Sequence, residues 1–252
     1  MAIQKIDDIY ELLKGNTQKK RLVVAYANDS HSIEAVNKAV EMGLIEATLC
    51  GDENEIKKVC TEHGFDISRF KIVHEPVDTK AAARAVQMVR EKEADFIMKG
   101  LVSTDKYMRA ILNKDCGLLP PKATLSHVVV MECPNYHKLL VFGDAAIIPA
   151  PDFSQKLAIV KYVAQIANAL GVKRPKVAMI SATEQVLPKV ESTTDAAIIA
   201  KMGERGQLGN IDIEGPLALD VAIDKEAAEI KKINSPVAGD ADCLVFPNIE
   251  SG

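Results

Sequence analysis

Apolar and polar positions follow two periods along this chain. Short apolar runs at Arg21–Ala25, Ala47–Cys50, Phe70–Val73 and Ala94–Met98 predict strands. Between them apolar residues recur at helical spacing. This predicts helices over Ile3–Lys14, from the Asn28-Asp29-Ser30 cap to Met42, and over Glu53–His63, Thr79–Glu91 and Ser103–Leu112. Gly15, Gly43 and Gly64 each follow one of these helices, where a left-handed residue can end the turn. Strands and helices alternating over short connections predict parallel pairing with helices on both faces.

The rhythm changes after Pro120-Pro121. Ser126–Glu132 and Lys138–Phe142 are apolar runs joined by Cys133-Pro134-Asn135-Tyr136-His137, a hairpin pattern. Pro149-Ala150-Pro151 then stops the chain, and Asp152 can cap a long helix to Leu170 that Gly171 closes. Strands follow at Val177–Ile180, Asn210–Ile213 and Cys243–Phe246, with helices around Asp195–Met202 and Lys225–Ile230. Pro247-Asn248-Ile249-Glu250-Ser251-Gly252 reads as a strand-to-helix turn with Ser251 as the cap. The expected architecture is α/β in two domains, residues 1–125 and 126–252, with a ligand cleft between them.

Composition narrows the function classes. The chain has 252 residues, 48% hydrophobic and 26% charged, enough to bury one large core or two smaller ones. A net charge of −4 supplies no basic field for nucleic acid or anionic lipid, and 4% aromatic content without Trp argues against base stacking. Cys50, Cys60, Cys116, Cys133 and Cys243 are odd in number and never at C-x-x-C spacing, which points to reduced thiols. Cys133 and Cys243 adjoin or occupy apolar runs and read as inert core thiols. The N-terminus lacks a signal-peptide pattern and no run is long enough to span a membrane, so a cytoplasmic protein is expected.

Common catalytic signatures are absent: no phosphate-loop glycine-lysine motif, no nucleophile elbow, no zinc-protease helix and no dinucleotide fingerprint. Gly203, Gly206 and Gly209 fit a helix exit. The strongest local pattern is Lys99-Gly100-Leu101-Val102-Ser103-Thr104-Asp105-Lys106, continuing to Arg109, at a strand end with a helix starting inside it. Gly100 permits close backbone approach, and amides at a helix start suit an anion. Ser103, Thr104, Lys99 and Arg109 could add donors to a phosphate. Equally, Ser103 or Thr104 could be a plain N-cap and Arg109 a solvated surface residue. Asp144, after a strand, could face a cleft or simply start a turn. Ser126-His127 precedes a strand, where Thr124 and Ser126 could donate to a ligand and His127 could be structural. Ser181-Ala182-Thr183 is a similar polar strand end.

Several motifs together carry a resemblance. They are Lys99–Thr104 with Arg109, Ser126-His127, Phe142-Gly143-Asp144 through Pro149-Ala150-Pro151-Asp152, Glu214-Gly215-Pro216-Leu217-Ala218-Leu219-Asp220, and Ser235–Gly252. In this order they resemble the phosphate acetyl/butyryltransferase family, and the Glu214–Asp220 wording is more similar to the butyryl branch. The specific match covers Lys99–Gly252, with the first third agreeing mainly in strand–helix order.

The resemblance implies reversible acyl transfer between coenzyme A and phosphate, giving an acyl phosphate. It also implies a three-layer α/β/α fold related to isocitrate and isopropylmalate dehydrogenases, and a homodimer or larger assembly. Coenzyme A and phosphate are then substrates, with no cofactor and no metal. Ser103, Thr104 and Arg109, with Lys99 and Gly100, become phosphate-binding residues, Ser126 a substrate contact, and His127 and Asp144 the catalytic candidates. The family's catalytic Ser-Arg pair and a following Asp are expected beyond Gly252, so a chain ending there is expected to be silent. A metal- and NAD-dependent decarboxylating dehydrogenase on the same fold, or a non-catalytic coenzyme A- or phosphate-binding module, are the alternative readings.

Overall fold

Alternating side chains of single strands feed two different cores in this computed structural model, which describes residues 2–15 and 18–252. Residues 1, 16 and 17 of the expected first domain lie outside the described residues. The chain divides into two compact units, one of Tyr10–Ala123 and one of Thr124–Gly252 together with the residues up to Ile9. Helix α1 (Ile6–Lys14) contains that division.

In the unit Tyr10–Ala123, β1 (Lys20–Ala25), α2 (Ser30–Glu41), β2 (Ile45–Gly51), α3 (Glu53–His63), β3 (Phe70–His74), α4 (Asp78–Arg90), β4 (Phe96–Lys99) and α5 (Thr104–Ile111) succeed one another. The four strands are all parallel, in the order β3-β2-β1-β4. Leu22 and Val24 of β1 pack with Ile33 and Val36 of α2 and with Ile56 and Cys60 of α3. Val23 and Ala25 face the other way, onto Ala81, Ala82, Ala85 and Met88 of α4. A strand buried on both faces has to be apolar at every position, which is why Leu22–Ala25 reads as a run rather than an alternation. Each fully buried Leu, Ile or Val contributes roughly 1.5–3 kcal/mol over its exposed state. Side chains set the helix starts: Asp29 accepts from the Ser32 amide at 2.8 Å and Asp52 from the Asn54 amide at 2.9 Å. Gly64, at φ 72°, ends α3.

The second unit contains β5 (Val129–Met131), β6 (Leu140–Gly143), α6 (Phe153–Ala169), β7 (Lys176–Ile180), α7 (Glu191–Glu204), β8 (Asp212–Leu217), α8 (Leu219–Ile223), α9 (Lys225–Ile230) and β9 (Cys243–Val245). Its sheet runs β5-β6-β9-β7-β8, antiparallel only between β5 and β6. Val177 and Met179 join α6 and α7 on one face, while Ala178 and Ile180 join α8 on the other. Both units therefore have helix, sheet and helix layers. Asp152 and Gln155 form a reciprocal capping box at the start of α6.

Four elements differ from expectation. The strand predicted to stop at Ile213 runs on through Pro216 to Leu217, and α8 follows it without having been predicted. Helix α7 starts at Glu191, where Val190 caps it without a side-chain bond, so the sequence carries no cap signal there. In the final turn the Asn248 carboxamide accepts from the Ser251 amide at 3.0 Å. Asn248 rather than Ser251 plays the capping part, and the Ser251 hydroxyl points back to the Asn248 carbonyl at 3.0 Å.

Candidate active site

Ligands on open parallel sheets gather at the carboxyl ends of strands where the strand order reverses. In the unit Tyr10–Ala123 that place lies between β1 and β4, where Tyr26 leaves one strand and Lys99-Gly100 leaves the other. The Gly100 amide donates to the Ala25 carbonyl at 2.9 Å and the Leu101 amide to the Tyr26 carbonyl at 2.9 Å. A Cβ at Gly100 would lie 2.3 Å from the Tyr26 carbonyl oxygen, so only glycine fits this approach. Val102, buried in the core of this unit, anchors the loop, and Ser103 caps α5 by accepting from the Lys106 amide at 3.4 Å.

Lys99, Gly100, Ser103 and Thr104 are thus gathered within one short loop and the first turn of α5. Lys99 is exposed, with Nζ 3.4 Å from the Gly100 carbonyl. The cation Lys106 is taken up by Asp78 at 2.6 Å. Arg109 is placed differently: it sits in the last turn of α5, 79% exposed, and pairs with Asp105 at 3.0 Å. Arg109 thus meets the first turn of α5 through the Asp105 carboxylate.

In the other unit, Asp144 follows β6 and is 2% exposed. Its Oδ1 accepts from the Ala146 and Ile147 amides, both at 2.8 Å. Its Oδ2 accepts from the Ser126 hydroxyl at 2.9 Å and the His127 amide at 3.0 Å. Gly143 makes the crossing possible, because a Cβ there would lie 2.7 Å from the His127 carbonyl oxygen. Burial pushes the Asp144 carboxyl up, but the amides of Ala146, Ile147 and His127 and the Ser126 hydroxyl outweigh it and hold it below its ordinary value. Asp144, Ser126 and His127 therefore form one tied group. His127 Nδ1 is buried and has no hydrogen-bond partner among the described residues. At the neighbouring strand ends, the Ser181 hydroxyl lies 2.8 Å from that of Ser192. Glu184 there accepts from the Ala218 amide at 3.3 Å and from Lys231 at 2.9 Å.

The five cysteines are free: Cys50, Cys60 and Cys243 are buried, Cys133 is half-buried and Cys116 is exposed. Burial pushes the Cys50 thiol up to about 11 and raises Cys243 further, as suits core thiols. Among the described residues no three His, Cys, Asp or Glu side chains gather as a metal site, and no helix is long and apolar enough to cross a membrane.

Residues 5–82 and 70–252 match the family described as phosphate acetyl/butaryl transferase. The chain belongs to this family. It is 42% identical over 250 residues to the phosphate butyryltransferase of Clostridium acetobutylicum, covering 99% of this chain and 82% of that relative. It is 43% identical over 230 residues to the phosphate acetyltransferase of Rhizobium meliloti, covering 91% of this chain and 72% of that one. Among solved structures it is similar to a branched-chain phosphotransacylase from Enterococcus faecalis V583. The TM-score is 0.78 at 28% identity, over 92% of this chain and 81% of that chain. The family sequence analysis singled out is thus the family to which the chain belongs, and phosphate acyltransfer is its activity. The relatives favour neither the dehydrogenase nor the non-catalytic module, and nothing in these likenesses supports an inactive chain.

Proposed function

We propose that this phosphate acyltransferase moves a short acyl group, butyryl foremost, between coenzyme A and phosphate. The observation that carries the acyl preference is the 42% identity to a phosphate butyryltransferase along 99% of the chain. In the forward direction an oxygen of hydrogen phosphate attacks the thioester carbonyl and forms a C–O bond. The C–S bond breaks, and the phosphate proton ends on the coenzyme A sulfur. In reverse the thiol, with a reference pKa near ~8.5, has to lose its proton before it attacks. His127 is the proposed proton carrier, supported by a buried ring nitrogen with no hydrogen-bond partner among the described residues. Asp144 fixes the backbone of that histidine and the Ser126 hydroxyl, which we assign to the substrate.

The same proposal gives the phosphate to Lys99, Gly100, Ser103 and Thr104, where the amides of a helix start and the exposed Lys99 ammonium favour an anion. Arg109, exposed and paired with Asp105, is the donor that turns to it. The isocitrate and isopropylmalate dehydrogenase type of fold, supported by two α/β units each with helices on both sheet faces, belongs to this proposal. So do a cytoplasmic location and a homodimer or larger assembly.

The test follows coenzyme A release from butyryl-coenzyme A and phosphate. Replacing His127 by Gln should lower kcat about 10²-fold with the melting temperature unchanged. Replacing Arg109 by Ala should raise the phosphate KM roughly ten- to hundredfold, the loss of one charge-assisted hydrogen bond of about 1.5–3 kcal/mol. Unchanged kinetics in both variants would remove these residues from the site.

A further inference from the structure

Four non-glycine residues among those described have positive φ: Tyr26, Lys92, Lys122 and Lys232. Lys92 and Lys232 directly follow the C-caps of α4 and α9, and Lys122 lies in the turn after Pro120-Pro121. Left-handed residues are ordinary at such helix ends and turns. Tyr26 is different, because it directly follows β1 at the point where strand order reverses, with φ 64°. An aromatic side chain rarely adopts this conformation, so the surrounding structure has to hold it there.

What the conformation achieves is visible in the next strand's exit. The Tyr26 carbonyl accepts the Leu101 amide at 2.9 Å, and the Tyr26 peptide is the surface against which Gly100 lies without room for a Cβ. The Tyr26 ring packs on the buried cluster that contains Ala81, Ala82 and Val102. Val102 belongs to the Lys99–Thr104 loop itself. Tyr26 therefore holds that loop twice, through its carbonyl and through the core beneath it.

We propose that Tyr26 is the positioning residue of the phosphate loop, setting the register of Lys99–Thr104 without touching the anion. This rests on the assignment of that loop to phosphate. Ring and left-handed backbone are both needed: the ring locks the backbone, and the backbone aims the carbonyl.

The test uses the full chain and reads KM for phosphate, KM for butyryl-coenzyme A, kcat and melting temperature. Tyr26→Phe keeps ring and backbone and should stay within about twofold of the parent in every constant. Tyr26→Val, β-branched and averse to positive φ, should raise the phosphate KM about tenfold while leaving that for butyryl-coenzyme A within about twofold. Tyr26→Asn tolerates the backbone but lacks the ring, and should raise the phosphate KM about fivefold. It carries the test by itself where the Val variant does not fold. A phosphate KM unmoved in the Asn and Val variants, or one that rises equally for both substrates, would overturn the proposal. Thr104→Val and Arg109→Ala separate the two levels. If they raise the phosphate KM and the Tyr26 variants do not, only the role of Tyr26 falls. If none of them does, the phosphate assignment falls with it.

Discussion

Asp144 accepts four hydrogen bonds on two oxygens, which fills the lone-pair sites of a carboxylate. A group so engaged holds neighbours in place; it has little capacity left to take a proton from a substrate. Replacing it by Asn turns one acceptor into a donor facing two donors. The expected result is a loss of about 3 kcal/mol in stability, measured by denaturant titration, and at least a roughly tenfold fall in kcat. The pH dependence has a definite sign. Because the folded Asp144 carboxyl lies below its unfolded value, its contribution is complete above about pH 4 and fades only as pH falls through the folded value. At this scale the sequence shows the polar strand ends Gly143-Asp144 and Ser126-His127, but not that they meet. Their contact depends on the register of the β5–β6 hairpin, Val129 opposite Phe142. The left-handed backbone of Tyr26 leaves no mark in the residue type, and the pairing of Arg109 with Asp105 on the helix surface competes with the anion role proposed for it.

Helices α6 and α7 are joined by a buried ion pair, Lys156 to Asp195 at 2.6 Å, with side chains 6% and 11% exposed. Removing Asp195 leaves the buried Lys156 ammonium with only the exposed Glu191 carboxylate, 3.9 Å away, among its ion-pair partners in the described residues. Asp195→Ala should therefore cost about 3–5 kcal/mol, while the apolar double replacement Lys156→Met with Asp195→Leu should be near neutral. Thermal melts of the three proteins decide this. A second latch sits at the strand starts, where Asp240 holds Lys138 at 2.9 Å and His137 at 2.8 Å and also pairs with Lys176. Burial pushes the Asp240 carboxyl up, but the hydrogen bonds from Lys176 and Lys138 outweigh it and hold it at about 2. Its stabilisation is complete above the unfolded value near ~4 and is lost as pH falls toward about 2. The melting-temperature gap between the parent and Asp240→Asn should accordingly close over that window and stay constant above it. Element types were largely legible because apolar period and caps agreed. The strand expected to end at Ile213 continues through Pro216 because β8 is an edge strand, where a missing amide does no harm.

At the scale of the whole molecule, the alternation of strands and helices predicts α/β layering, but not that β9 inserts between β6 and β7. Such an insertion is settled by long-range packing, with Cys243 and Val245 on one core and Leu244 on the other. The ordered motifs from Lys99 onward nevertheless pointed to the family to which the chain belongs. The claim that matters most is that the protein transfers an acyl group to phosphate. Butyryl-coenzyme A and phosphate should be mixed with the protein, and free coenzyme A and butyryl phosphate quantified together. The two products are expected in equal amounts, with release dependent on phosphate. Coenzyme A released without acyl phosphate, or no release at any phosphate concentration, would contradict the account.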